Sequence, residues 1–126
     1  MNLNQITITS TNIKKAVEFY SILGLKLIVD AMPRYVRFEC PDGDATFSIH
    51  ETEITTQNNN VTIYFEDDNL DELVSRLIKK GFSFTRLLED KSWLWREAHL
   101  KDYDGNTIIL YKAGKNRKNP PWRIKN

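Results

Sequence analysis

Glu97 and His99 stand two apart in the stretch REAHL, residues 96 to 100. On an extended strand that spacing turns both side chains to one face, where they can reach one ion. His50 follows Ser48 by two in ATFSIHE, again on a single face. Trp93 and Trp95 share the parity of Glu97 and His99, and Tyr64 and Tyr111 take the matching parity in VTIYF and NTIILYK. Rings so placed suit a planar ligand, and a cationic ligand gains further from their faces. Glu39, Glu66 and Glu97 favour a basic ligand, whereas Arg34, Arg37 and Arg96 oppose it. Three chemistries fit this set. It lines a binding site; or His50, Glu97 and His99 form a metal site; or Glu97, with His99 or His50, does acid–base work. The first is preferred, because two His and one Glu collect on a polar face by composition alone. Ser48 and His50 lack the third partner that orients a nucleophile and its base, and no glycine-rich phosphate loop is present.

The elements that must position these residues come as a repeat. NIKKAVEFYSILGLKL (12–27) lies over NLDELVSRLIKKGFSF (69–84) without a gap, pairing Asn12 with Asn69, Val17 with Val74 and Gly24 with Gly81. Each copy reads as a helix. Asn12 and Asn69 sit at N-cap positions, Asp71 and Glu72 suit a first turn, and Gly24 and Gly81 suit a left-handed terminus. Ile13, Ala16, Val17, Tyr20 and Leu23 lie toward one side of the first helix; Leu70, Leu73, Val74 and Leu77 do so in the second. Before the helices come the β-branched strands QITIT (5–9) and VTIYF (61–65). After them come LKLIV (25–29), RYVRFEC (34–40) and ATFSIHE (45–51) in one copy, and FSFTRL (82–87), SWLWREAHL (92–100) and NTIILYK (106–112) in the other. The turn signals PDGD and YDGN precede the last strand of each copy. The unit is β-α-β-β-β, used twice, the mark of modules that complete one another.

One helix covers one face of a sheet, so the apolar set of each strand should point at it. That set is Ile6, Ile8, Val36, Phe38, Cys40, Phe47 and Ile49, then Val61, Ile63, Phe65, Leu94, Ala98, Leu100, Ile108 and Leu110. Arg96 breaks the pattern. The opposite face carries Gln5, Tyr35, Arg37, Ser48, His50, Thr62, Tyr64, Trp93, Trp95, Glu97, His99, Ile109 and Tyr111, the expected ligand-binding set. It is too polar for a second core and too aromatic for an ordinary wet surface. The expected fold class is α+β: two βαβββ modules forming a curled mixed sheet around a concave cleft, with the helices on the outer face. Such a concavity is the usual form of a small-molecule site.

The chain of 126 residues is one domain's worth, expected as a single domain over 1–114. Module one runs to about 57, module two from about 58, and a tail follows over 115–126. Cys40 is the only cysteine, so no internal disulfide forms. The opening MNLNQITITS has neither the basic end nor the apolar run of a signal peptide. No apolar run spans a bilayer, and a net charge of +1 gives no field directed at nucleic acid or membrane. The expectation is a cytoplasmic protein with neither kind of partner. The basic tail ends in NPPWRIKN, and Trp122 is expected to dock on its own domain or on a partner subunit.

The segments ITITSTNIKKAVEFYSILGLKL, VTIYFEDDNLDELVSRLIKKGF and REAHLKDYDGNTIILY resemble the vicinal oxygen chelate superfamily, which includes glyoxalase I, bleomycin-resistance and fosfomycin-resistance proteins and extradiol dioxygenases. The resemblance covers nearly the whole chain and implies a homodimer. The superfamily's metal enzymes draw ligands from the concave side of four strands, and those places here fall on Gln5, Ser48, Thr62 and Ile109. A divalent ion needs about four good donors, or three and a water; of these four residues only Gln5 qualifies. The resemblance therefore implies a small-molecule-binding protein of the glyoxalase/bleomycin-resistance type, with no metal and no cofactor, and without glyoxalase I activity. An enzyme with a displaced metal site, or a ligand-free regulatory module, is the alternative.

Overall fold

The computed structural model describes residues 1–54 and 61–125. The expected boundary between modules, at 57–58, lies outside the described residues. The first module runs β1 (Gln5–Ser10), α1 (Ile13–Leu23), β2 (Lys26–Ala31), β3 (Tyr35–Glu39) and β4 (Thr46–Glu51). The second repeats it as β5 (Thr62–Glu66), α2 (Leu70–Lys79), β6 (Phe84–Asp90), β7 (Arg96–Lys101) and β8 (Thr107–Lys112), and a short α3 (Lys115–Lys118) follows. Each module forms its own four-stranded mixed sheet, in the orders β1-β4-β3-β2 and β5-β8-β7-β6. The first strand of each pairs parallel with the last, and the remaining pairs are antiparallel. The class is α+β with a doubled β-α-β-β-β pattern, as the sequence indicates. The chain divides into two units, residues 1–59 with 102–105 and residues 60–101 with 106–126.

In the first unit the Asn12 side chain accepts the Lys15 N–H at 3.1 Å and caps α1. Gly24 ends the helix at φ 127°, a conformation that side-chain-bearing residues rarely adopt. Ile13, Ala16, Tyr20 and Leu23, spaced three or four apart, are the buried stripe. They meet Val36, Phe38, Phe47 and Ile49, and the Tyr20 ring lies 4.7 Å from that of Phe47 and 6.2 Å from that of Phe38. Tyr20 is wholly buried, so its hydroxyl needs a partner. It donates to Asp102 Oδ2 at 2.5 Å. Burial first, and then the Asp102 charge, push the Tyr20 phenol far above its ordinary range. Asp102 heads the turn before β8, its carbonyl accepting the N–H of Gly105 at 3.1 Å, and Gly105 adopts φ 83°. Asp104 of the same turn accepts the Thr11 N–H at 3.0 Å.

The second unit reaches the same plan differently. Asn69 holds the N-cap position of α2, as expected, but its side chain makes no cap hydrogen bond; its N–H donates to Asp67 Oδ1 at 2.7 Å. Asp71 and Glu72 supply negative charge to the first turn of α2. Leu70, Leu73, Val74 and Leu77 pack on the side of Ile63, Ala98, Leu100, Ile108 and Leu110. Arg96 keeps the helix-facing parity and uses it, reaching Asp71 on α2 at 2.9 Å and Asp90 at 3.0 Å.

Of the expected core residues, Cys40 and Phe65 are only partly buried, and three are exposed. Ile6 is 39% exposed on β1, an edge strand of its sheet, and Val61 is 42% exposed just before edge strand β5. Leu94 is 49% exposed because β7 starts at Arg96, not at 92. The preceding residues make a turn closed by Lys91 N–H to Trp95 O at 2.7 Å and Leu94 N–H to Lys91 O at 3.0 Å. Leu94 sits there at φ 69°, which breaks the strand alternation. Among the described residues, no helix is long and apolar enough to cross a membrane.

Candidate functional site

Each sheet turns one face to its helix and the other away. On the first sheet, register sets Thr7, Ser48 and Arg37 in one row and Thr9, His50 and Tyr35 in the next. Short polar side chains on a pleated face meet their cross-strand neighbours. Thr7 Oγ1 and Ser48 Oγ lie 2.6 Å apart, and Thr46 Oγ1 donates to Gln5 Oε1 at 2.8 Å. Arg37 Nε donates to the Tyr35 hydroxyl at 2.9 Å, and the His50 ring packs 4.8 Å from that of Tyr35. Desolvation alone would raise the Tyr35 phenol. The Ser48 and Arg37 hydrogen bonds, with the guanidinium charge, outweigh it and hold the phenol below its ordinary value.

On the second sheet the corresponding rows are Tyr64, Ile109 and His99, then Glu66, Tyr111 and Glu97. Trp95 stacks on Tyr111, centroids 4.8 Å apart at 27°, and Tyr64 stands edge-on to Tyr111 at 5.5 Å and to Trp95 at 5.9 Å. Ile109, Tyr111 and Ala113 are buried beneath Trp95, while Tyr64 remains half exposed. The indole N–H of Trp95 donates to Asn116 O at 3.1 Å, fixing the ring. Burial first, then the Glu66 charge, raises the Tyr111 phenol. Beside Trp95, an open cleft of about 470 Å³ is bounded by Lys91, Leu94, Lys112, Gly114 and Asn116.

The acidic residues read as attractors of a basic ligand already have partners. Glu66 Oε2 accepts the backbone N–H groups of Ala113 at 2.7 Å and Gly114 at 2.9 Å, tying down the entry to α3. Glu97, 3% exposed, accepts Trp93 Nε1–H on Oε2 at 2.7 Å, and its Oε1 lies 2.8 Å from His99 Nε2. Trp93 and Trp95 both precede β7, which begins at Arg96, and from that turn Trp93 reaches back to Glu97. Its own ring is 43% exposed.

Of the expected site residues, Gln5, Tyr35, Arg37, Ser48 and His50 belong to the first unit, and Thr62, Tyr64, Trp93, Trp95, Glu97, His99, Ile109 and Tyr111 to the second. The structure joins Glu97 to His99 and to Trp93, and Trp95 to Tyr64 and Tyr111. Sequence reasoning missed Thr7, Glu66 and Asn116 as partners. Thr7 and Glu66 alternate with the helix-facing Ile8 and Phe65, so strand parity turns both away from the helix; nothing in the sequence marks the Asn116 carbonyl, a backbone atom of an unforeseen helical turn.

The superfamily's metal positions do not fit an ion. The Gln5 carbonyl oxygen already accepts from Thr46, Ser48 pairs with Thr7 as a neutral hydroxyl, Thr62 offers only another hydroxyl, and Ile109 offers nothing. Of the alternative metal set, His50 belongs to the first unit and Glu97 and His99 to the second; among the described residues, no three His, Cys, Asp or Glu side chains are grouped as metal ligands.

A doubled β-α-β-β-β chain whose sheets each turn a polar, aromatic face away from a helix has the vicinal oxygen chelate architecture. The model of the Glyoxalase/Bleomycin resistance protein/Dioxygenase superfamily matches residues 2–110, and the chain belongs to that superfamily. Among solved structures, a glyoxalase/bleomycin resistance protein/dioxygenase from Nocardioides is 17% identical, with a TM-score of 0.79 over 99% of this chain and 90% of that one. TioX from Micromonospora sp. ML1 is 15% identical, TM-score 0.74, over 90% of this chain and 99% of that one. A bleomycin resistance determinant encoded on the transposon Tn5 is 17% identical, TM-score 0.74, over 89% and 98%. At these identities the likeness is one of fold. No curated protein matches the chain by sequence.

Proposed function

We propose that the protein is a metal-independent small-molecule-binding protein that takes a planar aromatic or antibiotic-like ligand against the face of its second sheet. The observation that carries this reading is the Trp95–Tyr111–Tyr64 group: rings fixed by stacking and by the Asn116 hydrogen bond, with Tyr64 half exposed at their edge. Rigid, partly exposed rings lose little freedom on binding and offer a large apolar area. The open cleft meets this group at Trp95 alone. The superfamily contains bleomycin-resistance proteins, and membership is consistent with this reading. Metal independence rests on the donor set at Gln5, Ser48, Thr62 and Ile109.

The test is a thermal-shift and Trp-fluorescence screen of planar drugs and metabolites, with and without a chelator. A ligand at a hundred times its dissociation constant adds about 2.7 kcal/mol of stability, a shift easily read. A binder whose effect survives chelation is expected; loss of binding on chelation would overturn metal independence, and a panel without any binder would overturn the ligand class.

The same reading places the protein in the cytoplasm as a homodimer, with the tail over 115–126 docking through Trp122. Trp122 is 57% exposed, and so available to a second copy. A chain truncated after Lys115 should lose dimer stability in sedimentation; an unchanged oligomeric state and melting temperature would count against docking.

A further inference from the structure

The Glu97–His99 pair has a chemistry that ring stacking leaves unused. Both carboxylate oxygens of Glu97 are engaged, Oε2 by the Trp93 indole N–H at 2.7 Å and Oε1 by His99 Nε2 at 2.8 Å. A carboxylate out of water needs donors aimed at it. An indole nitrogen only donates, so Trp93 holds the charge without competing for a proton. A proton shared between a carboxylate and an imidazole rests on the imidazole, the more basic group. His99 Nε2 is therefore the donor, and in the neutral ring Nδ1 carries the lone pair. Among the described residues Nδ1 has no hydrogen-bond partner, and 21% of the side chain is exposed. Strand register sets His99 beside Ile109, whose other neighbour is the half-exposed Tyr64. A base backed by a buried carboxylate thus shares a row with Ile109 and Tyr64 of the aromatic group.

We propose that His99, oriented by Glu97, is a proton-accepting subsite for a planar aromatic ligand bearing an acidic hydroxyl. This rests on the small-molecule reading above and names the ligand's polar group. On binding, the ligand O–H bond breaks and an Nδ1–H bond forms. The electron pair stays on the ligand oxygen as a phenolate, and Glu97 balances the imidazolium. His99 touches the ligand; Glu97 is a positioning residue that fixes which nitrogen is free.

Two measurements test it. Imidazole nitrogen NMR of the wild-type protein reads the tautomer directly, with His50, the only other histidine, identified by the His50→Asn variant. The neutral His99 ring is expected to carry its proton on Nε2; a proton on Nδ1 would overturn the proposal without any variant having to fold. The second measurement compares 4-nitrophenol with 4-nitroanisole, a shape analogue without the acidic hydrogen. Binding is read by Trp fluorescence and by phenolate colour, at a pH where the free phenol is mostly neutral. The phenol should bind at least about tenfold more tightly, a difference of about 1.4 kcal/mol, and should turn yellow on binding. His99→Gln keeps an N–H for Glu97 but has no basic nitrogen. It should lose the preference and the colour. Equal binding of the two probes by the wild type, or a preference that survives in H99Q, would sink the subsite and leave the aromatic site standing. If neither probe binds, the small-molecule reading falls and takes the subsite with it.

Discussion

The two copies of the repeat solve the same packing problem with opposite chemistry. Tyr20 and Leu77 occupy matching positions, and both are wholly buried. In the first unit that position is filled by a polar ring whose hydroxyl must be met, and Asp102 meets it at 2.5 Å. In the second it is filled by a leucine that needs only contact. The faces turned away from the helices diverge likewise. Where the first sheet sets Thr7, Ser48 and Arg37 in a row, the second sets Tyr64, Ile109 and His99. Where the first has His50 beside Tyr35, the second has Tyr111 beside Glu97. Duplication preserves the backbone and the apolar side; the opposite side is free to become a hydroxyl and guanidinium surface in one copy and an aromatic and carboxylate surface in the other.

That contrast is broken most strongly in the cores. Leu77→Ala should cost about 2–5 kcal/mol, because a fully enclosed side chain leaves a cavity. Asp102→Ala should cost about 1–3 kcal/mol by a different route, stranding the buried Tyr20 hydroxyl. Urea denaturation of the two variants distinguishes the routes when Tyr20→Phe is added to each. It should recover part of the Asp102→Ala loss, since it removes the orphaned donor, and should recover none of the Leu77→Ala loss. Equal behaviour in the two backgrounds would mean that Asp102 is not the partner that Tyr20 depends on.

The helix starts give a smaller contrast. Asn12→Ala removes a side-chain acceptor bonded to the Lys15 N–H and should cost about 1 kcal/mol. Asn69→Ala removes no such bond and should fall within about 0.5 kcal/mol of the parent, like other surface changes. Matching losses in the two variants would show that Asn69 caps α2 in solution and that the starts are equivalent after all.

The helix starts also mark what sequence can reveal. Asparagine at matching positions, glycine at both helix ends and alternation through Val36–Phe38 and Ile108–Leu110 were legible because each follows from local geometry. Asn69 takes the N-cap position that spacing indicates, but whether its side chain bonds there depends on local backbone and rotamer, which spacing does not encode. Leu94 was misjudged because parity assumes that a strand continues, and a residue at φ 69° ends the alternation. Arg96, which looked like a break in the pattern, obeyed it and found Asp71 on the helix. In the candidate site, parity placed Glu97 and His99 on one face. Their mutual hydrogen bond and the return of Trp93 onto Glu97 depend on a turn that composition does not specify.

The smallest effect, and the one that sharpens the contrast between the two faces, concerns Tyr35. Its phenol lies below the ordinary value of 10.0, despite the opposing effect of desolvation, because Ser48 and Arg37 donate to it and the Arg37 charge favours the phenolate. The sign follows from which form the folded state prefers. A phenol that ionises more readily when folded adds stability as pH rises, in full above the unfolded value and lost as pH falls through the lower folded one. The effect is confined to alkaline pH, and Tyr111 should behave oppositely, since burial raises its phenol. Ultraviolet titration should therefore show one tyrosine ionising ahead of free tyrosine, and Arg37→Met should move that early step upward while leaving the late ones in place. If the early step persists in Arg37→Met, the Ser48 hydroxyl alone sustains it, and the first face is a hydroxyl surface in which the guanidinium plays no electrostatic part.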